Sequence, residues 1–311
     1  MKIHTIVGSL SVIFFILSFT QVHAITMLAD QSYYPALLKA IEQSTTKVGV
    51  TVSALSVDKN NKSDPVLKVL TALARAAQRG VQVAIEAPLP QDISKKLSSS
   101  GIKIVSCLGQ FQQTKICVDG EIIIGSHSWT KQDFLDGHAL SFLFKKQDLL
   151  SSVDERYFVK YLTAGAAKST SSIVIALNNG DFLNKKDKEK FYNLLKNKQI
   201  NNVPVKILFD QNSVSSYSIL NLFTKNEKNL EEAQALSSRK IPVWLDMAGT
   251  GFNFQLFVFD DVILFKGEPK EAKKSKKVGY HIFQSLEMSL QVKEYLESIP
   301  RLLVKDIIKY N

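Results

Sequence analysis

Cysteine is scarce in this sequence, at two residues in 311, and histidine is nearly so, at five. Two cysteines without a nearby histidine pattern make no zinc site. Proline (8) and glycine (14) are too few for a collagen-like or low-complexity chain, which leaves a folded one. The sequence contains no Gly-x-Ser-x-Gly elbow, no His-Glu-x-x-His pair and no Gly-x-x-x-x-Gly-Lys loop, so the common serine hydrolases, metalloproteases and nucleotide-binding enzymes are excluded. What is present is a 45% hydrophobic, 22% charged composition that can bury a large core. Lys and Arg outnumber Asp and Glu by 39 to 29, and a net charge of +10 favours an anionic partner: nucleic acid, phospholipid headgroups or cell-surface polymers.

The one strongly apolar stretch stands at the start. Lys2 is followed by Ile6 to Phe19, almost continuously apolar, and then by Val22-His23-Ala24, a small-residue cleavage site. Residues 1–24 therefore read as a secretory signal peptide, which places the remaining chain, at +9, in a secreted or periplasmic space. The other reading is an uncleaved tether to the membrane, for which the stretch falls short of the roughly 18 to 20 residues that cross a bilayer. No later segment is long and apolar enough to span. In an oxidising compartment Cys107 and Cys117, ten apart across a Gly-containing turn, can form a disulfide; two free core thiols are the alternative.

Beyond residue 45 the pattern is α/β. Thr46 to Leu55 alternates as a strand, Pro65 to Ala77 has helical spacing closed by Arg79-Gly80, Val81 to Glu86 is a second strand, a short helix covers Ile93 to Ser98, and Ile102 to Cys107 is a third strand. That is a βαβ unit with a parallel sheet. The order then returns: strand Ile173 to Leu177, charged helix Lys186 to Lys196, strand Val205 to Asp210, helix Ser216 to Leu236, strand Ile241 to Asp246. Each pass ends in a strand pair, Lys115–Val118 with Glu121–Ile124 and Gln255–Phe259 with Val262–Phe265. The chain thus reads as a duplication, residues 25–165 and 166–311, joined near the small-residue run Leu162 to Ser172 and packed about a pseudo-twofold where sites often lie.

The run Gln113-Thr-Lys115-Ile-Cys-Val-Asp119-Gly, followed by Gly125-Ser126-His127-Ser128-Trp129-Thr, resembles the signature of the phospholipase D superfamily: His-x-Lys, four residues, Asp, six residues, Gly-Ser-x-Asn, once in each of two halves. The helix Leu70 to Gly80 leading into Val81-Gln-Val is similar to the family's helix before an Arg-Gly-Val strand. In the second half Asn253-Phe-Gln255, four residues, Asp260, six residues and Gly267 has the family spacing with changed letters. The resemblance implies two phospholipase D-like halves, each a mainly parallel mixed sheet flanked by helices. It also implies a metal-independent phosphodiesterase needing no cofactor, in which one histidine attacks phosphorus, the other protonates the leaving oxygen, and lysines with Ser or Asn hold the phosphoryl oxygens.

Against that pattern both histidines are replaced. Gln113 and Asn253 fall at the histidine positions, Lys115 and Gln255 at the lysine positions, Asp119 and Asp260 at the acid positions, and an amide has neither a basic lone pair nor a useful pKa. The first motif is also one residue short on each side of Asp119, which sends Lys115 to a different face unless a bulge restores the phase. Lys115, Ser126 and Ser128 are candidates for half of an anion-binding pocket. The basic run Lys270 to Lys277, with Lys273, Lys274, Lys276 and Lys277, is a candidate contact with a lipid surface or nucleic acid. His127, His138 and His281 survive cleavage and are candidates for a relocated histidine; His138 and His281 follow Gly125 and Gly267 by 13 and 14 residues. Asp119 reads as structural, holding a turn, and Trp129 as core. The expected protein is a secreted or periplasmic phospholipase D-like protein, a pseudoenzyme that binds an anionic or phosphodiester-containing partner. The alternatives are an active phosphodiesterase of the phospholipase D or nuclease type with a relocated histidine, and an interaction module of an envelope assembly.

Overall fold

The structure is a computed structural model that describes residues 25–105, 113–135, 139–145, 148–149, 151–153, 155–178, 182–210, 227–246, 252, 254–267 and 279–304. Residues 1–24, the Lys270–Lys277 run, Cys107, His138 and Asn253 lie outside this set.

The first half contains β1 (Thr26–Ala29), α1 (Tyr33–Gln43), β2 (Lys47–Thr51), α2 (Pro65–Gln78), β3 (Gln82–Glu86), α3 (Gln91–Ser99), β4 (Lys103–Val105), β5 (Thr114–Val118), β6 (Glu121–Gly125), α4 (Lys131–Leu135) and β7 (Leu140–Lys145). The second contains β8 (Ser151–Val153), α5 (Glu155–Lys168), β9 (Ile173–Leu177), α6 (Lys185–Ile200), β10 (Val205–Phe209), α7 (Glu227–Ser238), β11 (Val243–Asp246), β12 (Phe254–Phe259), β13 (Val262–Gly267), β14 (Tyr280–Gln284), α8 (Leu286–Ser298) and β15 (Arg301–Leu303).

Local chemistry sets the boundaries. Asp64 caps α2, its carboxylate accepting from the N–H groups of Val66 (2.7 Å) and Leu67 (3.0 Å), with Pro65 at the first helical position, where no N–H is needed. Gly80 takes φ +91 to end the same helix. Asn184 and Ser285 cap α6 and α8 in the same way.

Two mixed sheets result. The first has strand order β1-β7-β6-β5-β2-β3-β4 and the second β8-β14-β13-β12-β9-β10-β11-β15. Strand for strand the orders match, and β15, antiparallel to β11, is the one addition among the described residues. The chain crosses between sheets between Lys145 and Ser151, so β8 and α5 belong with the second sheet, and a division at 165/166 falls inside α5.

Alternation along each strand feeds two cores. Ile116, Val118 and Ile123 of the first sheet face α1 and α2, and Ile175, Phe257 and Leu264 of the second face α5 and α6. The opposite faces meet each other: Ile124, Phe142 and Phe144 pack against Phe265, Phe283 and Leu256 in a third core, the seam between the halves. Phe142 sits edge-on to Phe265 at 4.9 Å and Phe144 edge-on to Phe283 at 5.1 Å, a favoured aromatic geometry. Among the described residues no helix is long and apolar enough to cross a membrane.

Candidate functional site at the seam

The two motif acids have the same structural role. Asp119 accepts from the backbone N–H groups of Thr45 (2.6 Å), Thr46 (3.0 Å) and Lys47 (2.8 Å), and Asp260 from those of Thr170 (2.8 Å), Ser171 (2.9 Å) and Ser172 (2.9 Å). Each sits at positive φ, 48° and 54°, at the tip of a two-residue hairpin, and each fastens that tip to the start of the central parallel strand. The N–H of Lys47 and the Thr46 hydroxyl, with the remaining donors, hold Asp119 well below the usual carboxylate range. Burial opposes the same effect at Asp260, but its three N–H donors outweigh it and the pKa is lowered there too.

This pair fixes the register. Val118 faces Glu121 and Phe259 faces Val262, and both hairpins run without a bulge to Thr114 opposite Gly125 and to Gln255 opposite Lys266. Counting five back from each acid, the residue equivalent to Gln255 is therefore Thr114, and Lys115 corresponds to Leu256. The sequence match of Lys115 to the lysine position and of Gln113 to the histidine position is thus off by one. The letters resembled the motif, but strand alternation sends Lys115 to the seam side and Thr114 to the helix side. By the same count the partner of Asn253 is Gln112, and both lie outside the described residues. His281 corresponds to Phe142, since Phe265 faces His281 and Ile124 faces Phe142; the matched offsets of His138 and His281 do not translate into matched places.

On the helix side the motif positions are closed. Thr114 and His127 are fully buried, and the Thr114 hydroxyl donates to the His127 carbonyl oxygen at 2.5 Å. His127 Nδ1 is hydrogen-bonded to the Ser141 hydroxyl at 2.7 Å, and burial, opposed by a hydrogen bond to the Asp30 backbone, pushes its pKa down to about 3, so the ring is neutral. Tyr33 lies flat on that ring, 4.0 Å between centroids and 7° between planes. In the second half Gln255, Lys266 and Tyr280 form a buried row across β12, β13 and β14; the Tyr280 hydroxyl donates to Gln255 Oε1 and Lys266 Nζ lies 5.5 Å from the Tyr280 ring centroid. Phe158 lies flat on Tyr280, 3.7 Å and 6°. Tyr33 and Phe158 are equivalent, each five residues beyond the edge-strand residue, Leu28 or Val153, that pairs with Ser141 or Tyr280. Each half thus lays one aromatic ring of its first helix over its motif.

Ser126 and Ser128, read as phosphate donors, are buried too. Ser126 Oγ accepts from the Leu140 N–H at 3.0 Å, and the Ser128 N–H donates to Asp133 Oδ2 at 3.1 Å. Ser126 Oγ thus ties the end of β6 to the start of β7, and the Ser128 backbone caps the turn into α4. Gly267 touches the other half: a Cβ there would lie 2.7 Å from the Gly125 carbonyl oxygen, so the two motif ends meet backbone to backbone.

On the seam side a second group forms. His281 Nε2 is 2.9 Å from Gln113 Oε1 of the other half, and its Nδ1 is 3.2 Å from the Ser152 hydroxyl. Burial, then the nearby Lys115 charge, lowers its pKa to about 4. Cys117 is a free, half-buried thiol on β5, and the pairing read for it involves Cys107, outside the described residues. Among the described residues no cluster of His, Cys, Asp or Glu could hold a metal. A cleft of about 520 Å³ lies elsewhere, between α6 and α7, where Lys188 pairs with Glu232 and Arg239 with Glu189.

No protein-family profile and no curated protein matches the sequence. Solved structures do match. Phosphatidylserine synthase from Haemophilus influenzae Rd KW20 superposes with a TM-score of 0.66 at 9% identity, over 90% of this chain and 87% of that one. Polyphosphate kinase from Porphyromonas gingivalis gives 0.56 at 11% identity, over 88% of this chain and 46% of the other. The chain shares its fold with these two structures, an α/β arrangement of two similar halves each built on a mixed sheet. The Asp119 and Asp260 tips stand at matching places in both halves, and five residues before each stand Thr114 and Gln255. Sequence reading missed Thr114, Tyr33, Phe158 and Lys266. Counting back from Asp119 would have found Thr114; nothing local marks the two rings.

Proposed function

We propose that this phospholipase D-fold chain has given up phosphoryl transfer and acts, exported, as a binding module for an anionic partner. One observation carries the reading: the lysine positions of the two halves are Thr114 and Gln255, buried, hydrogen-bonded within the protein and roofed by Tyr33 and Phe158. Neither a hydroxyl nor an amide supplies the fixed positive charge that would stabilise a phosphoryl transition state, and Lys266 beside Gln255 is buried over the Tyr280 ring. By the same count the histidine positions fall on Gln112 and Asn253, and neither amide can attack phosphorus or shuttle a proton. The net charge of +10 supports an anionic partner, and the apolar start followed by Val22-His23-Ala24 supports export with cleavage after Ala24.

The test is hydrolysis of bis-p-nitrophenyl phosphate, phosphatidylcholine and single-stranded DNA by the purified protein, with and without EDTA. The expected result is no turnover above a His138→Ala, His281→Ala control; metal-independent turnover that the double substitution removes would overturn the reading. A second reading, an active phosphodiesterase with a relocated histidine, is favoured by the neutral His281 ring beside Lys115 and predicts that outcome. The reading as an envelope scaffold predicts neither turnover nor retention on lipid or DNA.

A further inference from the structure

The seam side of β5 carries a group of side chains that the buried motif positions do not use. Gln113 and Lys115 come from the first half, on the face opposite Thr114, and Ser152 and His281 from the second, paired across β8 and β14. Lys115 and Ser152 are exposed, His281 and Gln113 half-buried, so the group opens to solvent at its rim. His281 uses both ring nitrogens, donating from Nε2 to Gln113 Oε1 and accepting at Nδ1 from the Ser152 hydroxyl. That leaves the Gln113 Nε2 amide, buried and without a partner. A desolvated donor with no acceptor is unfavourable, and here it lies two residues along the same strand face from an ammonium group. The Lys115 charge acts on the His281 ring, and no carboxylate is hydrogen-bonded to any of the four among the described residues.

We propose that Gln113, Lys115, Ser152 and His281 form an oxyanion site of phosphate type, built jointly by the two halves at the mouth of the seam. It lies on the face of the sheet opposite the buried motif positions, and it rests on the reading of this protein as an anion-binding module. Lys115 supplies the charge and the free Gln113 amide a directed donor, His281 holds the amide in place, and when His281 takes up a proton its Nδ1–H donates to Ser152 Oγ and frees the Ser152 O–H for the anion. Because the Lys115 charge disfavours protonation of His281, an anion bound between them must favour it; ligand binding and the His281 titration are therefore linked.

The experiment follows the His281 ring by NMR as pH is varied, in the purified protein, with inorganic phosphate in one arm and short-chain phosphatidylglycerol below its micelle concentration in the other. The expected result is a rise in the His281 midpoint of about one unit, a tenfold change in proton affinity. Lys115→Met, a change at an exposed position, removes the rise while the thermal melt stays put. A rise in the phosphate arm assigns the site to free phosphate; a rise in the lipid arm alone assigns it to a headgroup. An unmoved midpoint in both arms, or the same rise in Lys115→Met, overturns the proposal. Neither result touches the hydrolysis assay, so failure here and failure of the non-catalytic reading remain distinguishable.

Discussion

The two halves share strand order, capped hairpin tips and a stacked ring over the motif, yet they close that motif with different chemistry. The first half fills it with Thr114 and a neutral His127 under Tyr33; the second fills it with Gln255, Lys266 and Tyr280 under Phe158. One solution titrates in the acid range and the other is a cross-strand row of amide, ammonium and phenol. The fold therefore tolerates two unlike fillings of one place, provided each is buried, stacked and hydrogen-bonded.

The largest expected break in that likeness is with pH. His127 has its pKa lowered to about 3 in the folded state against about 6.5 unfolded, so the unfolded chain takes up its proton first as pH falls. Its contribution is complete above pH 6.5 and is lost progressively towards pH 3, on the order of 5 kcal/mol. Stability measured by urea unfolding between pH 6.5 and 4 should fall steeply in the natural protein and less in His127→Gln. Equal slopes would mean that burial at His127 is not what makes the first half acid-sensitive.

Next in size is the ring over the second half. Phe158→Ala removes a ring that stacks on Tyr280 and touches Phe257, and should cost about 3–5 kcal/mol, read as a lower urea midpoint. A loss below 1 kcal/mol would mean that the ring only covers the motif without holding it. The smallest change makes the halves alike: Tyr33→Phe copies Phe158, keeps the stack on His127 and leaves the Trp129 indole N–H without its acceptor at 3.3 Å. It should cost about 1 kcal/mol by the same measurement, and no loss at all would remove the hydroxyl from the account.

The βαβ passes and the two hairpins were legible, because alternation and capped amphipathic runs such as Asp64 to Gly80 are local signals, whereas α1, α5, α8, β7 and β14 were not read. The short edge strands β1, β8 and β15 were not, since three or four residues carry no period and are defined by partners far along the chain. The site divided along another line. The second half has the spacing of the resemblance, Asn253 to Gly267, with changed letters, and Asp260 and Gln255 hold one register with Asp119 and Thr114. The first half keeps the letters Lys115 and Gly125-Ser126 and has changed the spacing; there resemblance led one residue astray, onto the opposite face of the sheet. Trp129 was read as core and is fully buried. The contact of His281 with Gln113 spans 168 residues, and no local pattern announces it.

The meeting of Gly267 with the Gly125 carbonyl has an evolutionary side. In a homodimer every substitution at the axis appears twice and must suit both copies at once, which ties the two sides of a seam together. Here the halves are one chain, so a substitution enters on one side alone, and the other side is free to answer it differently. The backbone contact at Gly267 leaves no room for a side chain, whereas the matching places a few residues away hold unlike ones, Thr114 and Gln255. One chain can thus fill two matching places with unlike chemistry while the joint between its halves stays fixed.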